Sequence, residues 1–329
     1  MAGEGRQAKA GWIGVAAIVA LALAGCGDGG AAGSEDVRAA DPASPGKAVA
    51  KAGDDAATLR CPPKVRDDLT GPDVLGVRLG MTHAEALATV RCALGEDAPV
   101  KTEVRWYDRL DTNGIELGPQ AFTVQQGESK PCDYQRNWQG CGFGNREWTH
   151  VDEVVTVATP GAPGRETAMV VWRSQNFREG GMPALQSVID ALVAKYGQPQ
   201  HVEQSDQRWS NTSGWHELRW MRDRRGAPLS DPNPLFRQCW TGAHPARRTK
   251  GGDGGTQVSW SDGCGLTIRG KAFLSGQNPG LVVDLNVAMV QQGDLYDHAE
   301  ATQAELQRLG RTRREAEVEQ AGDASDVRL

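Results

Sequence analysis

Cysteine is the residue type with the clearest chemical potential in this chain of 329 residues. No C-x-x-C pair and no nearby histidine pair provides the ligand spacing of a zinc site, so the sequence predicts no metal and no cofactor. Six cysteines remain when Cys26 is set apart, and an even number in an exported chain indicates three disulfides. Spacing leaves their connectivity open, and we favour the local pairs Cys61–Cys92, Cys132–Cys141 and Cys239–Cys264.

Export is indicated by the first 25 residues. Arg6 and Lys9 precede an apolar run over residues 12–22, which is typical of a secretory signal and too short and too rich in Gly and Ala for a membrane-spanning helix. The run ends in Leu23-Ala24-Gly25-Cys26, which resembles the lipobox of bacterial lipoproteins. The resemblance implies cleavage before Cys26, lipidation of that cysteine and a membrane anchor. The alternative is an ordinary signal peptide with a chance cysteine.

The segment that follows the predicted lipidation site is expected to be a disordered tether over residues 26–59. It contains almost no large apolar side chain and cannot bury enough surface to offset its ordering entropy. Gly27 directly follows the predicted lipidation site, and an aspartate at that position tends to hold Gram-negative lipoproteins at the inner membrane. Because glycine occupies it, the resemblance implies location at the periplasmic face of the outer membrane in a Gram-negative host. The sequence does not exclude a Gram-positive source.

Composition argues against nucleic acid as a partner, because 42 acidic residues exceed 36 basic ones and the formal net charge is −6. The sequence Asp111-Thr112-Asn113-Gly114 is read as a turn. A calcium loop in that frame would place Arg109 and Gln120 where carboxylates are required.

Two histidines lie close to acidic residues, but neither pair predicts catalysis. His216 and Glu217 would point to opposite faces of a strand, and His150 near Asp152 is interpreted as a surface histidine. Nucleophile elbows, HExxH helices and Walker-type phosphate loops are absent from the sequence. We therefore predict a non-catalytic protein, with a cell-wall hydrolase and a carbohydrate-binding module as the alternatives.

Tryptophan is unusually frequent in the predicted mature chain. Trp106, Trp172 and Trp220 fall within predicted strands and are interpreted as core. Large rigid rings in loops favour binding surfaces, so four loop tryptophans are candidate contact residues: Trp138, Trp148, Trp240 and Trp260. The alternative is local packing against the disulfides.

Periodicity predicts an α+β fold of two tandem modules, residues 60–178 and 179–310, each with one helix packed on a four-stranded antiparallel sheet and with disulfide-braced loops. Each module opens with Gly-Met, at Gly80 and at Gly181, and the first helix has the capping-box spacing Thr82-x-x-Glu85. The predicted strands span 100–108, 115–125, 151–159, 166–174, 201–209, 215–222, 264–273 and 280–291. A last helix over 294–309 would lead to a charged, frayed tail over 311–329.

The stretch Gly80-Met81-Thr82-His83-Ala84-Glu85-Ala86 resembles the opening of two kinds of small bacterial envelope domain. These are the β-lactamase-inhibitor-protein-like domains and the small lipoprotein of the outer-membrane barrel assembly machinery. The resemblance implies a helix followed by an antiparallel sheet whose face binds protein, without catalysis. The expected function is therefore a membrane-anchored envelope lipoprotein that acts as a protein-binding or scaffolding module for an envelope protein.

Overall fold

The computed structural model describes residue 61 and residues 66–104, 110–206, 212–244 and 257–322. The predicted signal, Cys26 and the predicted tether lie outside these residues, as do Trp106 and Arg109. These described residues belong to one compact unit, Ala56–Leu329. Within them, no helix combines the length and the apolar character needed to cross a membrane.

The elements follow one another in an order that occurs twice. The first half contains α1 (His83–Leu94), β1 (Val100–Glu103), β2 (Ala121–Pro131), α2 (Tyr134–Asn137), β3 (Arg146–Ala158) and β4 (Val170–Asn176). The second half contains α3 (Leu185–Tyr196), β5 (His201–Ser205), β6 (Thr212–Asp223), α4 (Pro234–Gln238), β7 (Cys264–Ser275) and β8 (Val282–Gln291). A long helix, α5 (Gln292–Gly322), ends the described chain.

The predicted separation into two tandem modules is wrong, because the eight described strands form one antiparallel sheet in the order β1-β2-β3-β4-β8-β7-β6-β5. The two halves join where β4 pairs with β8, from Val170 opposite Val290 to Asn176 opposite Asp284. Both strands carry buried apolar side chains, and either one would be an aggregation-prone edge in a separate sheet. Pairing them removes both edges.

Two helices cover one face of the sheet, which we call the helix face. The predicted capping box is present in α1: Thr82 Oγ1 accepts from Glu85 N at 3.3 Å, and Glu85 Oε2 accepts from Thr82 N at 2.8 Å. In the second half, Leu192 of α3 lies so close to Gly270 of β7 that a Cβ there would be 3.0 Å from Leu192 Cδ1. The glycine therefore lets α3 approach the sheet closely. Side chains from both halves form one hydrophobic core on this face, which includes Phe122, Val124, Val155, Val157, Leu218, Trp220, Ile268 and Met289.

The three predicted disulfide pairings are confirmed, with Cα–Cα distances of 5.4 to 5.5 Å. Two of them brace the connections β2–β3 and β6–β7, which correspond to each other in the two halves. Cys239 and Cys264 are both fully buried in a small cluster with Met221, Leu229 and Phe236. Cys239–Cys264 therefore holds the end of α4 against the start of β7.

Element boundaries differ from the sequence expectation at several places. The strands predicted over 115–125 and 166–174 begin later than expected, because β2 starts at Ala121 and β4 at Val170. The stretch between the predicted strands 115–125 and 151–159 is partly strand at both ends, since β2 extends to Pro131 and β3 begins at Arg146. The last helix was predicted to end at residue 309, but α5 continues to Gly322, so the predicted frayed tail is helical over residues 311–322. Residues 311–321 are all exposed, which is why apolar periodicity did not reveal them.

Candidate functional site

The face of the sheet opposite α1 and α3, which we call the second face, carries a group of charged residues in its β6–β7 half. Alternation along β6 and β7 places Leu218 and Ile268 on the helix face, so their neighbours in sequence face the other way. Four of these neighbours form the charge cluster: Glu217, Arg219, Arg269 and Lys271. In the strand register, Glu217 lies opposite Lys271 and Arg219 lies opposite Arg269.

Glu217 is at the centre of the charge cluster and is 1 % exposed. Its Oε1 accepts hydrogen bonds from Arg219 Nε and Arg269 Nε, each at 2.7 Å, and Lys271 Nζ lies 3.5 Å from its Oε2. Burial alone would raise the pKa of Glu217, but Arg269, Arg219 and Lys271 outweigh this effect and lower it. Glu217 is therefore a buried carboxylate held in its ionised form by three cations.

The cations of the charge cluster outnumber its single carboxylate. Burial lowers the pKa of Arg219 and of Lys271, and the charge of Glu217 opposes that shift in both. Arg219 has a second acidic partner, Glu203 of β5, at 3.0 Å. Because Glu217 is the fully buried anion that all three cations share, the arrangement depends on this one residue.

Aromatic rings lie at both ends of the charge cluster. At one end the Arg219 guanidinium lies 3.6 Å from the centroid of Trp240, which also contacts the rings of His201 and Phe236. At the other end the Lys271 ammonium lies 3.7 Å from the centroid of Trp215 and 5.4 Å from that of Phe273. Such cation–aromatic contacts fix the orientation of both partners.

Trp215, Lys271 and Phe273 together form the aromatic–lysine patch. Trp215 and Phe273 lie directly opposite each other on β6 and β7, and all three side chains are half-buried. Lys271 belongs both to this patch and to the charge cluster, so its ammonium is restrained by Glu217 and by the two rings. The patch is therefore a partly accessible surface in which the position of Lys271 is restrained by the buried carboxylate of Glu217.

Three of the four tryptophans predicted as contact residues pack in three different clusters. Trp148 is 5 % exposed and donates from Nε1 to Phe143 O at 2.9 Å, so burial removes it from the candidate contact residues. Trp260 packs against the cluster around Trp172. Trp240 packs beside Cys239 and Cys264, as the alternative of packing against a disulfide predicted. The side chain of Trp138 lies outside the described residues.

Sequence reasoning missed Trp215, although the signal is present in β6. Successive side chains of a strand point to opposite faces, so every second residue of β6 shares a face. This alternation places one aromatic and two charged residues on the same face: Trp215, Glu217 and Arg219. Trp172 and Trp220, which were predicted as core, are each 4 % exposed.

The two histidines considered as catalytic candidates are far from the charge cluster or face away from it. His216 lies opposite Ala272 and so belongs to the helix face, away from Glu217. His150 Nε2 lies 3.3 Å from Asp152 Oδ1, and Arg178 occupies both oxygens of that carboxylate at 2.8 and 2.9 Å. Across the ranges described above, no group of three or more His, Cys, Asp or Glu residues could hold a metal ion.

Comparison with known proteins returns no matching family model, no matching curated protein and no matching solved structure.

Proposed function

We propose that this protein is a lipid-anchored envelope lipoprotein whose body is a non-catalytic protein-binding module. The observation that carries the binding proposal is the aromatic–lysine patch of Trp215, Lys271 and Phe273. Tryptophan and other large rings dominate the energetics of protein interfaces when they lie in restrained, partly desolvated positions. The charge cluster holds Lys271 in place before a partner arrives, which lowers the entropy cost of binding.

The covered faces of the tryptophan rings favour a protein partner over a carbohydrate. A sugar stacks on an open aromatic face, whereas cations occupy one face of Trp215 and one face of Trp240. A protein partner can instead use the edges of Trp215 and Phe273 together with the lysine. The predicted export signal and the three disulfides support a partner in the cell envelope.

Trp215→Ala should weaken binding of the partner without unfolding the protein. A central interface tryptophan contributes about 2 kcal/mol or more, which corresponds to roughly thirtyfold in the dissociation constant. The partner is first captured in intact cells with a photo-crosslinking amino acid at position 273 and is identified by mass spectrometry. Its affinity for the wild-type protein and for Trp215→Ala is then measured with purified components.

Tyr134→Ala is the matched control, because Tyr134 is an aromatic residue that is 55 % exposed and lies in the β2–β3 connection. It should bind the partner with unchanged affinity. Equal affinities of Trp215→Ala and wild type would remove the patch from the interface. Recovery of glycan without any crosslinked protein would overturn the protein-binding proposal.

The anchor is tested separately at Cys26. Cys26→Ala removes the sulfur that the lipid would occupy, so we expect the protein to leave the carbonate-washed membrane fraction and to lose labelling by radioactive palmitate. In a Gram-negative host Gly27→Asp is the control, because it should keep the lipid and change only the membrane that holds the protein. Continued membrane association of Cys26→Ala, or an intact N-terminal segment in purified protein, would contradict lipidation.

A further inference from the structure

A cleft of about 440 Å³ opens at the end of the sheet opposite the aromatic–lysine patch. One wall is the segment that leads into α1, from Thr70 to Pro72 and at Leu79 and Gly80. The other walls are the ends of β6 and β8 and the starts of β7 and α5. The volume falls within the range of pockets that hold small ligands.

The floor of the cleft is apolar and adaptable. It is formed by Leu79, Met169 and Leu266 above the fully buried Met289, and methionine side chains adjust readily to the shape of a ligand. Gly80 has φ +92°, and a Cβ there would lie 2.9 Å from Leu69 Cδ2. Gly80 of the Gly-Met opening is therefore required for the shape of this wall, which gives that short motif a role at the cleft.

One acidic group at the rim of the cleft has no partner of its own. Among the described residues, the carboxylate of Asp294, an exposed residue in the first turn of α5, accepts no hydrogen bond and forms no ion pair. Burial raises the pKa of Asp294, Arg224 opposes the shift and Asp297 adds to it. Arg224 is itself paired with Asp297, so it does not neutralise Asp294 by direct contact.

The other two charged residues that line the cleft are engaged elsewhere. Asp223 Oδ1 accepts from the backbone N–H groups of Arg225 and Ala227. Arg222 Nη1 donates to Gly226 O at 2.9 Å. The formal charges of Asp223 and Arg222 also sum to zero. The residues that line the cleft therefore carry a formal net charge of −1, which comes from Asp294.

We propose that this cleft binds a linear aliphatic ammonium group, with the alkyl chain on the methionine and leucine floor and the ammonium donating to Asp294. Gln291 offers a neighbouring amide oxygen in the same lining. The group can belong to a free alkylamine or to the lysine side chain of a protein. This site is separate from the aromatic–lysine patch, because Trp215 and Arg222 are at opposite ends of β6.

The test uses the mature protein and three probes of equal chain length: n-hexylammonium, 1-hexanol and hexanoate. Titration at neutral pH, followed by amide chemical shifts, should show hexylammonium binding about tenfold more tightly than hexanol, with hexanoate the weakest. Shift changes should centre on Gly80, Met169 and Leu266. Affinity should rise about fourfold for each added CH₂ from butylammonium upward until the floor is covered.

Asp294→Asn should reduce the affinity for hexylammonium to that for hexanol and leave hexanol unchanged. Glu300→Gln, in the same helix but outside the cleft, is the matched control and should bind like wild type. Lowering the pH through the raised pKa of Asp294 should weaken hexylammonium in the wild-type protein but not in Asp294→Asn. Because the ligand series needs no variant, it remains decisive if Asp294→Asn folds poorly.

A lysine derivative blocked at both backbone ends identifies the source of the ligand. If it binds as tightly as hexylammonium, the cleft accepts lysine side chains; if hexylammonium alone binds, it accepts free amines. Equal affinities for hexanol and hexylammonium, tighter binding of hexanoate, or an unaltered affinity in Asp294→Asn would each overturn the proposal. Trp215→Ala should leave all of these affinities unchanged, so failure at the patch and failure at the cleft can be told apart.

Discussion

Glu217→Gln should destabilise the folded protein by about 3–5 kcal/mol, which is the cost of removing one partner from a buried ion pair. The substitution preserves the shape of the side chain and removes its charge. Arg219 and Arg269, whose side chains are 5 % and 4 % exposed, would then be buried without their shared anion. Equilibrium unfolding in urea with the disulfides intact measures the loss.

Glu203→Gln is the matched control for this loss, because Glu203 contacts the same Arg219 from a side chain that is 42 % exposed. Screening by solvent makes such a contact worth little, so a change below about 1 kcal/mol is expected. Similar losses in the two variants would show that burial of Glu217 does not determine the strength of the charge cluster.

Glu217→Gln should also remove part of the dependence of the unfolding free energy on pH. The pKa of Glu217 is lowered in the folded protein, so its contribution is present above the unfolded pKa of about 4.3 and is lost as the pH falls through the folded pKa. Wild-type protein should therefore lose more stability below pH 4.5 than Glu217→Gln does. Parallel pH profiles would contradict the assignment of Glu217 as an ionised buried carboxylate.

Replacing Cys239 and Cys264 together by serine should lower the free energy of unfolding by about 2–4 kcal/mol. The bond spans 25 residues, so its loss would raise the conformational entropy of the unfolded chain. The substitution would also place two hydroxyl groups among the buried side chains of Met221, Leu229 and Phe236. The stacking of Trp240 on Arg219 should loosen as well, because Trp240 follows Cys239 directly. Tryptophan fluorescence and urea unfolding would report both effects.

Replacement of Cys132 and Cys141 by serine is the comparison for the second prediction. This bond spans only 9 residues and neither cysteine is fully buried, so the expected loss is smaller. A larger loss in the free energy of unfolding for the Cys132 and Cys141 variant than for the Cys239 and Cys264 variant would contradict the prediction that the buried disulfide contributes more.

Much of the local structure could be predicted because it depends on neighbours in the chain. The capping box of Thr82 and Glu85 needs only residues three positions apart, and the apolar stripes of α1 and α3 follow from helical periodicity. The three disulfides join cysteines that are close in sequence, so the local pairing was the right choice. The lipobox-like segment stays a prediction, as it lies outside the described residues.

The amino-acid sequence by itself determined the order of the longer helices and of the strands and the alternation of side chains along each strand, and it favoured the correct cysteine pairs. Only the tertiary structure decided that β4 pairs with β8, because strand pairing between distant segments depends on which edges are left uncovered. That one pairing replaced two modules with a single sheet. The charge cluster around Glu217, the burial of Trp148 and the cleft beside Asp294 likewise depend on contacts between residues far apart in the chain, which no local pattern encodes.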